Sequence, residues 1–382
     1  MKRIAFTVIG TDKWIGGRHY IKNLLNIILL HQSNEINPIL FLPSKVSKNE
    51  LESYKVLKNL RIVRTAYLDN FYSKIGFFLA IFLGRDFFMQ KLFAEHKVDK
   101  VFTNTKYFGW RFKLPVVVWI PDLQHKFLKY MFSKFGYLKR EAGFRLQIWM
   151  AQTVMLSSND AKKHCNNFYK HSIRKSVSVP FAVKTSIQDD KQINDNICKK
   201  YNIPSNYLYV PNQFWRHKNH IVVLDAVSIL KKRNIYFNII FTGELKDNRN
   251  SNYYDEFLNH LNNMDISDQV YVLGKVPYED VIALMKNCEA LINPSLFEGW
   301  STTVEEAKSL GIKLLLSDIS VHFEQLGNKA KYFEKNSALS LANLIEESFK
   351  EKNIKENIEY LKKLNDKKVF EFSEKFKNTM LS

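Results

Sequence analysis

The segment ALINPSLFEGWSTTVEEAKSLGIKLLL, residues Ala290–Leu316, decides the fold. Ala290–Asn293 is short and mostly apolar, the pattern of a buried strand. A loop containing Pro294, Ser295 and Gly299 follows it. Thr303–Leu310 then has helical spacing, and Lys313–Leu316 is apolar again. Strand, helix and strand in this order predict two parallel strands joined by a crossover helix.

The same alternation extends outward. Before the segment, strands are expected at Tyr207–Val210, Phe237–Phe241 and Val270–Leu273, with helices at Asn219–Lys232, Tyr253–Leu261 and Glu279–Asn287. The first half repeats the theme. Its expected strands are Ile4–Ile9, Pro38–Leu42, Asp99–Thr103, Pro115–Ile120, Thr153–Leu156 and Ser176–Val179. Tyr20–Leu30 and Leu138–Ala151 read as helices, and Ser157-Ser158-Asn159-Asp160 reads as the entry to another. The chain from Lys331 onward reads as helical and charged. A length of 382 residues exceeds what one core usually serves. The expected class is therefore α/β, with two Rossmann-like domains facing a central cleft. Their bounds are 1–185 and 207–364, with a polar connection at 186–206. Residues 365–382 form a final helix expected to pack back on the first domain.

Composition narrows the functional classes. Hydrophobic residues at 46% and charged residues at 25% suit a soluble globular protein. Cys165, Cys198 and Cys288 are scattered and lack a C-x-x-C pair, so reduced thiols are expected and zinc is not. The start, from Met1 to Val8, reads as a strand and not as a signal peptide. The longest apolar run, Ile75–Leu83, falls short of the roughly 20 residues a membrane span needs. Fifty-seven basic against 38 acidic residues give a net charge of +19. That excess favours an anionic partner: nucleic acid, an anionic membrane or a phosphorylated small molecule. A cytoplasmic location is expected, with peripheral attachment to the inner face of the cell membrane.

Four places suit chemistry. In open α/β sheets ligands bind outside the carboxyl ends of the strands. The first place is the loop after Ala290–Asn293. Gly299 there lets a ligand approach the backbone, and the amides around Ser301–Thr303 would point at an anion from a helix N-terminus. Glu298 and Glu306, with seven residues between them, could hold hydroxyls of one extended ligand. Against this, Thr302-x-x-Glu305 and Thr303-x-x-Glu306 are also capping-box patterns. The second place is Val210–His220, where Arg216 and Lys218 make a basic strand end that suits phosphate or is simply a solvated turn. The third is Gly16-Gly17, a turn permitting positive φ or serving structure alone; it lacks the spacing of a nicotinamide or flavin site. The fourth is His125, at the end of Pro115–Ile120 in Trp119-Ile120-Pro121-Asp122-Leu123-Gln124-His125, where a lone histidine is more often structural. Asn104 and Asn159 also follow strands.

The sequence around Pro294-Ser295, Glu298-Gly299 and Glu306-Ala307 resembles glycosyltransferase family 4, the group 1 enzymes of GT-B fold, whose hallmark is E-x7-E. The resemblance implies a retaining enzyme that moves a sugar from a nucleotide-diphosphate sugar. It implies that Glu298 contacts the transferred sugar, that Glu306 contacts the donor ribose, and that Gly299, Trp300 and Ser301 offer backbone amides, with Ser295 and Thr302 in the same donor-binding loop. The family usually has Phe where Trp300 stands. Lys218 matches a diphosphate-binding lysine. The family's arginine is replaced at Asn212 or Gln213, and Arg216 is the candidate substitute. Gly16 and Gly17 match a turn facing the donor phosphate, and His125 matches a histidine beside the donor sugar. With Glu298 and Lys218, His125 completes the expected catalytic set.

No D-x-D occurs, so neither a metal nor any cofactor beyond the donor is expected. The acceptor would be a glycan or a lipid-linked chain, in bacterial cell-surface polysaccharide or O-antigen synthesis. Lys126, Lys129, Lys134, Lys139 and Arg140, interleaved with Phe127, Tyr130, Met131 and Phe132, would suit an anionic membrane. The rival readings are a nucleotide-sugar epimerase or phosphorylase on the same fold, and a basic nucleic-acid-binding or membrane-binding protein. No nucleic-acid-binding module is recognisable, so no nucleic-acid partner is expected.

Overall fold

A computed structural model describes residues 1–7, 15–104, 106–184, 197–247, 252–350 and 358–382. The chain divides into two compact units, Met1–Ala182 with Asp366–Ser382, and Val183–Asn365.

The first unit is built on a parallel sheet of seven strands: β1 (Lys2–Thr7), β2 (Ile36–Pro43), β3 (Arg61–Thr65), β4 (Lys100–Thr103), β5 (Val116–Ile120), β6 (Thr153–Leu156) and β7 (Ser176–Ser178). Their order is β3-β2-β1-β4-β5-β6-β7. Ile4 aligns with Pro38 on one side and Lys100 on the other. All five residues of β5 are buried, because helices cover both faces of a parallel sheet. The core gathers Ala5, Phe41, Phe93, Val118 and Leu156. The helix Ile358–Leu381 contributes its residues from Asp366 on to this unit. Phe376 packs 5.3 Å from Phe102, and Gln32 Nε2 donates to Ser373 Oγ at 2.9 Å.

The second unit carries a six-stranded parallel sheet: β8 (Leu208–Val210), β9 (Ile239–Thr242), β10 (Val270–Gly274), β11 (Ala290–Asn293), β12 (Leu314–Ser317) and β13 (Lys331–Phe333). The order β10-β9-β8-β11-β12-β13 is that of a dinucleotide-binding fold. The strand sequence reverses direction between β8 and β11, which makes the carboxyl ends of those two strands the switch point. Helices Thr302–Ser309 and His220–Lys232 cover the sheet, and Val222, Val223, Ile239, Phe241 and Ile292 fill one face of the core. Ile197, Ile203 and Tyr207 are packed into the other face, so the end of the stretch expected as a connection belongs to this core; residues 185–196 of it lie outside the described residues.

Three readings are corrected. Lys331–Phe333 is an edge strand paired with β12, and the helix begins only at Ala338; three residues are too few to display a period. β3 escaped notice because, as the edge strand paired with β2, it keeps two arginines and only half-buried apolar residues. Gly16 and Gly17 lie inside the first turn of the helix Ile15–His31 and are not among the residues of positive φ. A Cβ added at Gly16 would meet nothing within 4 Å. Val8 and Ile9, the end of the expected first strand, lie outside the described residues.

Candidate active site

The carboxyl ends of β8 and β11 bring two loops together. After β8 the chain makes a 3-10 turn, Arg216–Lys218, and passes through Asn219 at φ 54° into the helix His220–Lys232. After β11 it runs through Pro294–Trp300 into the helix Thr302–Ser309. The Leu296 amide donates to the His217 carbonyl at 2.7 Å, which ties the loops backbone to backbone. Across this tie Lys218 Nζ lies 2.5 Å from Glu298 Oε1. Both side chains are largely buried, at 13% and 10% exposure, so solvent screens the pair little. Ser295 Oγ is 2.7 Å from the same carboxylate oxygen and 2.8 Å from Asn293 Oδ1, so its single hydrogen is shared between two acceptors.

A second layer fixes the loop. Ser317 Oγ, at the end of β12, donates to the Ser295 carbonyl at 2.6 Å. The buried His322 Nδ1 donates to the Ser317 carbonyl at 2.9 Å, which leaves Nε2 as the unprotonated nitrogen. Burial pulls this imidazole down to about 4, so it is neutral at physiological pH. Asn293 Nδ2 donates to Ser301 Oγ at 2.9 Å.

Ser301 is the N-cap of the helix; its Oγ accepts from the Val304 amide. The capping-box readings that started from Thr302 and Thr303 are therefore corrected, because both residues are already helical. The Ser301 amide, expected to face an anion, donates instead to Gln325 Oε1 at 3.2 Å. Gln325 Nε2 returns to the Ser301 carbonyl at 3.1 Å and to Glu305 Oε1 at 3.0 Å. Glu305 is a structural carboxylate, also paired with Lys308.

Glu306 differs from Glu298. It is nearly fully buried and accepts one bond, from Tyr278 Oη at 2.8 Å. Burial outweighs that hydrogen bond and pushes its carboxyl up to about 7. Tyr278 opens the helix after β10, and so comes from another strand end. Gly299, Trp300 and Thr302 are half-buried along the loop and first turn.

Two expected residues are engaged elsewhere. The Arg216 guanidinium is bonded to both oxygens of Glu256 and lies 5.4 Å from the Tyr253 ring centre. This arginine therefore grips the helix Tyr253–Asn262, while Lys218 alone of the basic turn reaches Glu298. In the first unit, His125 is fully buried on the short helix Gln124–Phe127. Its Nε2 lies 3.2 Å from Glu141 Oε2 and 3.3 Å from Tyr169 Oη. Tyr169 Oη and Lys126 Nζ both reach that carboxylate at 2.7 Å, and Arg145 Nε reaches its other oxygen at 2.8 Å. Burial lowers the histidine's affinity for a proton while Glu141 opposes it. The imidazole is thus a member of a buried knot around Glu141. Asn104 directly follows β4 and is buried, and Asn159 starts a helix capped by Ser158.

Sequence reasoning missed Gln325, His322 and Tyr278. All three lie far along the chain from Glu298 or Ser301 and carry no local pattern; only a position just after a strand marks Tyr278.

Residues 194–369 match the family model described as glycosyl transferases group 1. The O-antigen chain mannosyltransferase RfbU of Salmonella typhimurium is 22% identical over an alignment covering 52% of this chain and 68% of that protein. Among solved structures, a glycosyltransferase from Rickettsia africae superposes with a TM-score of 0.68 and 19% identity, covering 100% of this chain and 96% of that one. Anabaena Alr3699/HepE, solved in complex with UDP and glucose, gives a TM-score of 0.72 and 13% identity, with 99% of each chain covered. These structural likenesses establish the fold, the GT-B class with its two Rossmann-like units. The family match covers nearly the whole of the second unit, and that part of the chain is similar to the group 1 glycosyl transferases.

Proposed function

We propose that the enzyme moves a sugar from a nucleotide-diphosphate sugar to a glycan or lipid-linked acceptor with retention of anomeric configuration, in bacterial cell-surface polysaccharide synthesis such as that of O-antigen, at the inner face of a membrane. The observation that carries this reading is the Lys218–Glu298 pair at the switch point of the second sheet. An ammonium has three donors, so Lys218 can keep Glu298 and still bind a diphosphate oxygen. When the sugar–phosphate bond breaks, negative charge grows on the departing diphosphate, and a fixed cation aimed there lowers the barrier. Glu298, held by Lys218 and Ser295, is placed to accept hydroxyl hydrogens of the sugar. Glu306, reached from Tyr278, is placed to do the same for the ribose. The complex of HepE with UDP and glucose and the mannosyltransferase relative support a nucleotide-sugar donor. The reaction as proposed uses no metal: Lys218 and the helix N-terminus supply the positive charge.

The test is a thermal-shift screen with UDP, GDP, ADP and their hexose conjugates. A nucleotide at a hundred times its dissociation constant adds about 2.7 kcal/mol. A shift with one base, lost in Lys218→Ala, is expected. No shift with any of them in folded protein overturns the proposal.

A further inference from the structure

The first unit carries an aromatic surface that the transfer site does not use. The helix Asn70–Phe82 exposes Phe71, Phe77, Phe78 and Phe82, with the exposed Lys74 among them; Phe82 is 74% exposed. Gly76 and Ala80 are the buried residues of this helix, and Tyr72 packs on Tyr67 and Phe88, while Phe71, Phe78 and Phe82 stay largely exposed.

The surface continues beyond the helix. Trp110 packs against Gly84, where an added Cβ would lie 2.8 Å from the indole. Trp110 in turn stacks on Trp149, with ring centres 5.6 Å apart and planes at 28°. Trp149 ends an exposed stripe of the helix Lys134–Met150 that also holds Phe135, Leu138 and Arg145, at helical spacing. The two tryptophans therefore join the outer faces of two helices into one band, and this band takes in part of the basic aromatic cluster noted in the sequence.

Its charge is mainly positive. Residues 69–95, 106–113 and 126–150 contain twelve basic residues against four acids, Asp69, Asp86, Glu95 and Glu141; Asp69 accepts a hydrogen bond from Ser44, and Glu95 is exposed. Asp86 is buried, and Glu141 is held by Lys126 and Arg145. The same segments expose Lys74, Lys91, Arg111, Lys113, Lys134 and Lys139.

We propose that this band seats on an anionic phospholipid bilayer. Rings at the headgroup boundary with lysines and arginines among them are the arrangement of an interfacial amphipathic surface. A second copy of the chain is the poorer occupant, because it would set one surface with a three-fold excess of cations against another. No helix among the described residues is long and apolar enough to cross a membrane, which leaves seating on the surface as the mode for these helices. The inference gives the membrane part of the proposed function a surface; it rests on that part alone and not on the transfer chemistry.

The experiment is co-sedimentation of the full chain with vesicles of phosphatidylcholine, and with vesicles containing about one-third phosphatidylglycerol. The probe variants are Phe78→Ser with Phe82→Ser, and Lys74→Glu with Arg111→Glu. Tyr236→Ser, on the second unit, is the control. Circular dichroism and nucleotide-induced thermal shifts verify that each variant is folded. The wild type and the control should bind the anionic vesicles and release them as salt rises, and each double variant should bind at least about ten-fold less. Vesicle binding unchanged in both double variants overturns the inference, as does a wild type that binds neither vesicle. Gel filtration showing a dimer that the same variants dissociate also overturns it, in favour of a second copy. A nucleotide shift that survives any of these outcomes leaves the transfer reading standing on its own.

Discussion

Lys218 Nζ lies 2.5 Å from Glu298 Oε1, and the pair bridges the loops after β8 and β11 where the strand order of the second sheet reverses. The cation and the carboxylate hold each other in position. A charge-assisted hydrogen bond contributes about 1.5–3 kcal/mol, which corresponds to roughly ten- to a hundred-fold in rate. Lys218→Met and Glu298→Gln should each lower turnover by about that factor. The double variant should lose less than the product of the two, since the partners are coupled. Transfer assays on the three proteins measure it.

Glu306 predicts a pH dependence of stability. Its carboxyl sits near 7 in the folded enzyme against an ordinary 4.5, because it is buried. Between those values the native state holds a proton that the unfolded chain has lost. This contribution is therefore complete below about 4.5 and disappears as pH rises through about 7. Glu306→Gln should flatten that limb and raise stability at pH 8 by about 1–3 kcal/mol, measured by urea unfolding at pH 5 and pH 8.

Gln325 makes three bonds that hold the start of the helix Thr302–Ser309: to the Ser301 amide, the Ser301 carbonyl and Glu305. Gln325→Leu strands those buried groups. The expected loss is about 2–3 kcal/mol in denaturant unfolding, with weakened nucleotide binding. Ser301→Ala, which removes the cap, should cost about 1 kcal/mol.

Glu141 has the opposite sign from Glu306. Burial favours its neutral form, but hydrogen bonds from Lys126, Tyr169 and His125 outweigh this and bring the carboxyl down to about 2. Its contribution is present above the ordinary 4.5 and is lost as pH falls towards 2. Glu141→Gln should lower the melting temperature at pH 7 and weaken its fall in acid. Calorimetry between pH 3 and 7 reads both effects.

Gly243, at φ 144°, brings the end of β9 against the loop after β8; a Cβ there would lie 2.5 Å from the Asn212 carbonyl oxygen. Gly243→Ala should destabilise the second unit by about 2 kcal/mol or more and loosen the Lys218 loop. Denaturant unfolding together with the nucleotide shift checks it.

Much of the fold was legible because a parallel sheet covered on both faces leaves short apolar runs. Val116–Ile120 and Ala290–Asn293 are read from the sequence almost residue for residue. Edge strands are poorer signals: Arg61–Thr65 and Lys331–Phe333 have one paired side and little apolar burial. The helix Asn70–Phe82 went unassigned because its apolar residues circle the axis instead of keeping to one face. At the candidate site, strand-end logic singled out Lys218 and Glu298, which the structure joins. It singled out Arg216 and His125 equally well, and these are turned to Glu256 and Glu141. Spacing says which residues stand at a strand end, but not which neighbouring helix offers a carboxylate. The partners that decide this come from tens of residues away.

The C-terminal segment carries a consequence for the order of synthesis. Phe376 completes the aromatic packing around Phe6 and Phe102, and Ser373 closes on Gln32, 341 positions earlier in the chain. The second unit is contiguous, so it can finish folding as soon as its own residues have been made. The first unit begins first but must wait with part of its core uncovered until the whole of the second has been translated, an interval of about ten seconds or more at ordinary elongation rates. During that interval Phe6 and Phe102 lack their last partner, so the growing chain carries uncovered apolar surface for as long as the second unit takes to be made.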